Sequence, residues 1–294
     1  MRALSYFAAL FAGALALVAV ATWPAWLLVN HFAAVPFHRV GNRLVMLGLG
    51  VGLWLVAGRL GVANRAAMGF GVRRGVFLRE FSRGLLLGVL FMLPLAALML
   101  LLDLRIVGSG VTAAVVGKTL LTGLGSGLAV ALIEESFLRG AMFSAVSREA
   151  GTAVAILATS LVYAAVHFFA RYRIDAGDVS ALSGLSLLRG SLGEFARPAL
   201  ILDAYLSLAA IGVILATIRA YTGNIAAGMG LHAGWVAIML VVLRTTVVNA
   251  SAPHAGLLSQ HDGFVGYLTL GWTVLAAIPL LLYYSRRRSL RGPA

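Results

Sequence analysis

The chain has 294 residues, 61% of them hydrophobic and 11% charged, with a mean hydropathy of +0.96. No soluble globular domain needs that much apolar surface, so the composition predicts a polytopic membrane protein in contact with the lipid bilayer. The lack of any cysteine excludes disulfides and thiolate chemistry. The net charge of +13 is spread over inter-helix connections, and no basic helix or zinc-finger spacing points to nucleic acid.

In chain order, residues 4–29 form a first apolar run after Arg2. Ala19-Val20-Ala21 has the small-residue pattern of a signal-peptidase site, but the apolar character continues through Trp23, Trp26 and Leu28. An uncleaved first span is therefore expected. Further spans are expected at about 43–60, 84–104 (kinked at Pro94), 112–147, 152–170, 202–221, 224–243 and 263–284, which makes eight. The predicted fold is an all-α bundle of about eight transmembrane helices around a buried polar cavity. The 112–147 stretch is too long for one simple crossing and is expected to continue as an amphipathic extension beyond Arg139, ending near Arg148 and Gly151.

Basic residues suggest the orientation. The 58–83 connection carries Arg59, Arg65, Arg73, Arg74, Arg79 and Arg83, and the tail carries Arg286, Arg287, Arg288 and Arg291. Eight spans put both clusters on one face, so the positive-inside rule predicts a multi-pass protein of an inner, cytoplasmic membrane with both termini cytoplasmic. The 171–201 connection, with Arg171, Arg173, Arg189 and Arg197, then falls outside, and part of it is expected to be re-entrant or interfacial. The Gly123-Leu124-Gly125-Ser126-Gly127 run would let another helix approach closely.

The stretch after that run, Glu134-Glu135-Ser136-Phe137-Leu138-Arg139, places three ionisable groups inside an apolar segment. Each such group costs about 2.5–3.5 kcal/mol at membrane depth for the most polar types. Glu135 and Arg139, four apart, share a helix face and can pair. Glu134, turned about 100° away, is left for other work.

Of the six histidines, His31, His38, His254 and His261 fall in connections or at span ends, where a solvated ring needs no special reading. His167 and His232 lie within apolar spans. Counted outward from a turn near 148–151, Glu134 and His167 both stand roughly 20–25 Å away, whereas His232 is only about 13 Å from its own turn at 221–224. Three groups from three helices can converge if the helices tilt.

Such a set permits two mechanisms. Glu134 acts as general base on a water with help from His167, while His232 stabilises the oxyanion. Alternatively Glu134, His167 and His232 hold a zinc ion that activates the water. There is no HExxH, no GxSG around Ser126 and no GxGD, which disfavours the site-2, rhomboid and aspartyl types of intramembrane protease.

Glu134-Glu135-Ser136-Phe137-Leu138-Arg139 fits the EExxxR motif of the CPBP family, which comprises type II CAAX prenyl proteases, Abi proteins and bacteriocin-processing relatives. Tyr163-Ala164-Ala165-Val166-His167 resembles its FxxxH motif with tyrosine for phenylalanine, and His232-Ala233-Gly234-Trp235-Val236 resembles HxxxN/D but ends in valine. The resemblance implies a glutamate-dependent endopeptidase that requires no cofactor and acts on a peptide or protein substrate reaching the site in the membrane. It implies Glu134 as water-activating base assisted by His167, Glu135 and Arg139 as support, and His232 in oxyanion stabilisation. Tyr163 and Trp235 are candidate cavity residues. Val236 cannot supply the second oxyanion donor of the family's asparagine, so Trp235 or Asn224 takes that role or the chain is slow or inactive. Three parts are expected: N-terminal spans and basic loop over 1–111, a CPBP-like core over 112–245, and a last span and basic tail over 246–294. The competing readings are a silent scaffold or immunity protein of the same fold and a proton-coupled transporter. The transporter is disfavoured by the lack of broken helices in matching halves.

Overall fold

The structure, a computed structural model, describes residues 2–169 and 172–289, the side chains of Arg288 and Ser289 excepted. Among the described residues, eight helical stretches are long and apolar enough to cross a membrane. They comprise α1 (Arg2–Phe32), α2 (Phe37–Val56), α3 (Arg74–Leu101), and the continuous rod of α4 (Ala113–Glu134), a π-helical segment (Glu135–Met142) and α5 (Phe143–Ala150). After the rod come α6 (Thr152–Phe169), the short α7 (Ser183–Gly193), α8 (Leu202–Thr222), α9 (Ala226–Thr245) and α10 (Tyr267–Ser289). The protein is therefore an all-α, multi-pass membrane bundle. Among the described residues the sheet is one antiparallel pair, β1 (Arg105–Val107) with β2 (Thr246–Val248), in register Arg105 opposite Val248.

The long rod breaks where the sequence breaks it. Thr112 caps its start by accepting from Val115 N at 3.3 Å, and Gly151 ends it at φ 89°, a backbone angle that glycine adopts without a Cβ penalty. Residues 138–146 are buried all round, so the extension beyond Arg139 does not present a wet face at its start. Its polar side turns inward instead: Arg219 donates from Nε to the Arg139 carbonyl at 3.0 Å and from Nη2 to Ser144 Oγ at 3.2 Å.

α3 begins at Arg74, ten residues before the expected span, because Arg74, Arg79 and Arg83 ride on its first turns. Glu80 among them is buried and bonded by Arg287 of α10 at 3.0 Å, so that arginine of the tail meets the basic start of α3 at one end of the bundle. That end also holds the N-terminus, where Glu149 accepts from Ala3 N at 2.7 Å, and the 57–73 connection, where the Leu60 carbonyl accepts from Arg148 at 2.6 Å. Within the 171–201 connection, α7 folds back on the first span, with Gly184 against the Val18 and Ala19 carbonyls near the middle of α1. Arg171 of that connection lies outside the described residues.

α9 is the centre. Gly230 and Gly234 on it seat against the α3 backbone at Phe81, Leu85 and Val89, and a Cβ at Gly127 of α4 would come within 2.8 Å of the Ala233 carbonyl. The glycine run before the glutamates thus does what its spacing suggests, at positions 123 and 127; Gly125 has nothing within 4 Å.

Candidate active site

Glu134 is the last residue of α4, and Glu135 opens the π-helical segment. A π segment inserts a residue into the helical ladder and re-aims the side chains beyond it, and such segments concentrate at functional sites. Across this one the Glu135–Arg139 pair still closes, at 3.1 Å with both side chains fully buried.

Glu135 is more than half of an ion pair. The oxygen that accepts from Arg139 Nη1 also lies 3.2 Å from His232 Nδ1. An ionised carboxylate only accepts, so this contact puts a proton on Nδ1 and turns Nε2 the other way. Arg139 is held in turn by the Gly212 carbonyl at 3.3 Å and lies over the Tyr163 ring, 4.6 Å from its centroid. Gly228 faces Glu135 from α9; a Cβ there would sit 3.1 Å from Glu135 Oε2.

His232 Nε2 points toward Glu134, whose Oε2 is 3.9 Å away, buried and without a hydrogen-bond partner. That separation is too long for a direct bond, and it leaves a polar face on which a third group can bind both. His167 donates from Nδ1 to its own helix at the Tyr163 carbonyl, 2.7 Å, since a carbonyl cannot donate. Its Nε2 is then the nitrogen available to another group. The Tyr163 ring touches both histidines, with centroid distances of 4.6 Å to His167 and 6.0 Å to His232.

The counted difference in depth between Glu134 and His232 is removed by one loop. The Met68 carbonyl lies against Gly140, where a Cβ would come within 2.6 Å, and the next carbonyl, Gly69, accepts from Ile225 N at 3.1 Å. Gly140 and Ile225 therefore start at one level. Glu135 is five residues back from it (140 − 135) and His232 seven on (232 − 225), so the two side chains meet.

Beside these groups lies a cavity of about 240 Å³, lined by His167, His232, Tyr163, Trp235 and Val236 together with mostly apolar side chains such as Phe91, Met92 and Met239. Glu134 borders His232 and is not itself part of that lining.

Residues 116–238 match the family model of Rce1-like type II CAAX prenyl endopeptidases. No curated protein and no solved structure matches the chain.

The matched segment contains the paired carboxylates, Arg139 and both span histidines, but the cavity wall extends past it. His261 and Asp262, on the connection before α10, and Thr269 and Thr273 of α10 complete the lining. His261 is a correction to the sequence reading: it is buried, 8% exposed, against the Phe168 ring at 4.5 Å, and is not a solvated connection histidine. The connection is held by Arg105, which donates from Nε to Thr246 Oγ1 at 2.7 Å and from Nη1 to the Gly263 carbonyl at 2.5 Å. Burial holds the Arg105 guanidinium below its ordinary pKa, with Asp262 acting in the opposite sense. A one-dimensional reading had no signal for this. The apolar context that marked His167 and His232 is missing around His261.

Asn224 is committed elsewhere. Its Oδ1 accepts from Ala226 N at 2.9 Å and its Nδ2 donates to the Thr222 carbonyl at 3.1 Å, in the turn before α9. As for metal, among the described residues no group of three or more His, Asp or Glu side chains stands together to hold an ion. The alternative zinc set of Glu134, His167 and His232 is not gathered as a ligand cluster, although the Nδ1 bonds leave Nε2 of each ring open.

Proposed function

We propose that the chain is an intramembrane endopeptidase that hydrolyses a peptide bond with a water activated by Glu134. The observation that carries this reading is the unpartnered, buried Glu134 Oε2 opposite His232 Nε2, with the far side of that ring held by the Glu135–Arg139 pair. A second carboxylate at this depth is costly unless it has work to do.

In this mechanism a water sits between Glu134 and the scissile carbonyl, oriented by His167 Nε2. Glu134 takes one proton, and the hydroxide oxygen bonds to the carbonyl carbon. The negative charge that develops on the carbonyl oxygen is met from the side of His232, whose ring is aligned through Nδ1 on Glu135. The tetrahedral intermediate collapses as the C–N bond breaks, and the proton held by Glu134 passes to the leaving nitrogen. The carboxylate is regenerated without a cofactor. Arg139 and Glu135 are positioning residues. The substrate is a peptide reaching the site within an inner, cytoplasmic membrane, prenylated where the host prenylates proteins. Both termini face the cytoplasm, with the catalytic core over 112–245 between N-terminal and C-terminal flanking spans.

The test is metal content and peptide cleavage on one purified sample, wild type beside Glu134→Gln. Cleavage with far less than stoichiometric metal, abolished in the variant, is the expected result. Cleavage that tracks bound zinc would overturn the mechanism. No cleavage by either protein across a broad peptide library would favour a silent scaffold of the same fold.

A further inference from the structure

Buried hydroxyls and indoles in this protein almost always bond to something. Thr22, Thr159, Ser160, Thr245 and Thr246 each donate to a carbonyl one turn back in the chain, Thr269 donates to the Phe264 carbonyl, and Trp272 donates to the Phe91 carbonyl. Among the described residues three groups break that habit. One is the Tyr284 hydroxyl, which is not on the cavity; the others, Trp235 Nε1 and Thr273 Oγ1, are buried without a hydrogen-bond partner in residues that are 5% and 1% exposed. Both residues line the same cavity, one from α9 and one from α10.

An unpaired buried donor is expensive, about 1–3 kcal/mol, so two on one cavity wall call for a ligand that satisfies them. The other polar atoms of the wall are partly spent: His167 Nδ1 on Tyr163, His232 Nδ1 on Glu135, Asp262 Oδ1 on Phe264 N and Val265 N, and Thr269 Oγ1 on Phe264. An indole N–H only donates, whereas a hydroxyl both donates and accepts. Together they match a peptide group, which offers one carbonyl acceptor and one N–H donor. The surrounding side chains, Phe91, Met92, Leu208 and Met239, suit the apolar residue that such a group carries.

We infer that Trp235 and Thr273 form the peptide-binding pair of the cavity, and that Trp235 Nε1–H is the oxyanion donor that Val236 cannot be. Val236 lines the cavity one residue on from Trp235, and the other candidate, Asn224, is locked in its turn. Thr273 lies outside the matched family segment, so this part of the site belongs to the last span. The inference rests on the hydrolase reading for its rate effect, but not for its binding effect.

The experiment compares the full-length protein with Trp235→Phe, Thr273→Val, Val236→Asn and the Trp235→Phe/Val236→Asn double variant, reading kcat, KM and Tm in detergent. Removing the indole N–H is expected to lower kcat by about 10²–10³-fold, as for loss of an oxyanion donor elsewhere. The asparagine of the double variant is expected to restore at least tenfold of that loss. Thr273→Val is expected to raise KM several-fold without lowering Tm, because the hydroxyl has no partner in the free protein. Wild-type kcat in Trp235→Phe, or no rescue by asparagine, overturns the oxyanion role. The same variants on a Glu134→Gln background, titrated with the tightest-binding fluorescent peptide of a library, separate the two readings. Binding weakened by both substitutions supports the pair even if the wild type cleaves nothing. Binding unchanged by either removes the pair and leaves the Glu134 mechanism standing.

Discussion

α9 and the α1–α2 hairpin are both apolar helices of a membrane bundle, yet they are built on opposite terms. In the most apolar window of α9, 72% of residues are buried, against 22% in α1 and 11% in α2. Around α9 the glycines meet backbone: Gly84 and Gly88 of α3 face Ala227 and Leu231, and Gly230 and Gly234 face Phe81 and Leu85 in return. In the hairpin they meet the ends of side chains, Leu10 at Gly52 and Leu17 at Gly48, or nothing, as at Gly13 and Gly50. Lipid supplies no hydrophobic drive between helices, so contact has to come from close backbone approach and polar bonds. The helix that carries His232 has both. The hairpin keeps its apolar surface for lipid.

Substitutions at matched residue types should therefore separate the two regions. Gly230→Leu places a branched side chain into the α3 backbone, which cannot yield as a side chain can, and we expect no folded protein by size exclusion in detergent. Arg139→Met strands Glu135 as a buried charge and should cost about 3–5 kcal/mol. Replacing both partners with apolar residues should recover much of that in denaturant unfolding while activity stays lost. Gly228→Ala asks Glu135 Oε2, 3.1 Å from the new Cβ, to yield by a few tenths of an ångström. A shift of that kind in the carboxylate that orients His232 should lower kcat by about tenfold, with little change in Tm. At the other extreme, Gly13→Ala meets nothing within 4 Å and should be neutral or stabilising by up to about 1 kcal/mol, with unchanged activity. A large loss from Gly13→Ala, or none from Gly230→Leu, would break the comparison.

The candidate site was legible in the sequence to the extent that it is local. Glu135 and Arg139 stand on one helix four residues apart, and their pairing follows from helical spacing alone. His167 and His232 were visible because a titratable ring in an apolar run is rare. His261 was not, since its connection is polar in sequence and is folded inward only by Arg105, Thr246 and Gly263, which are far apart in the chain. Glu80 was hidden for a similar reason: it sits among arginines in sequence, and its burial depends on Arg287, 207 residues away.

Length, hydropathy and the order of three short motifs determined by themselves that this is a multi-pass helical membrane protein with a segment similar to type II CAAX prenyl endopeptidases, because span length and helical period are properties of contiguous residues. The tertiary structure alone decided that His232 answers to Glu135 as well as Glu134, since the level of α9 is set by the 64–70 loop beneath it. It also decided that Asn224 is spent in a turn while Trp235 and Thr273 face the cavity with their polar atoms unbonded. Which polar atoms are satisfied is a property of the folded contacts, and no spacing along the chain encodes it.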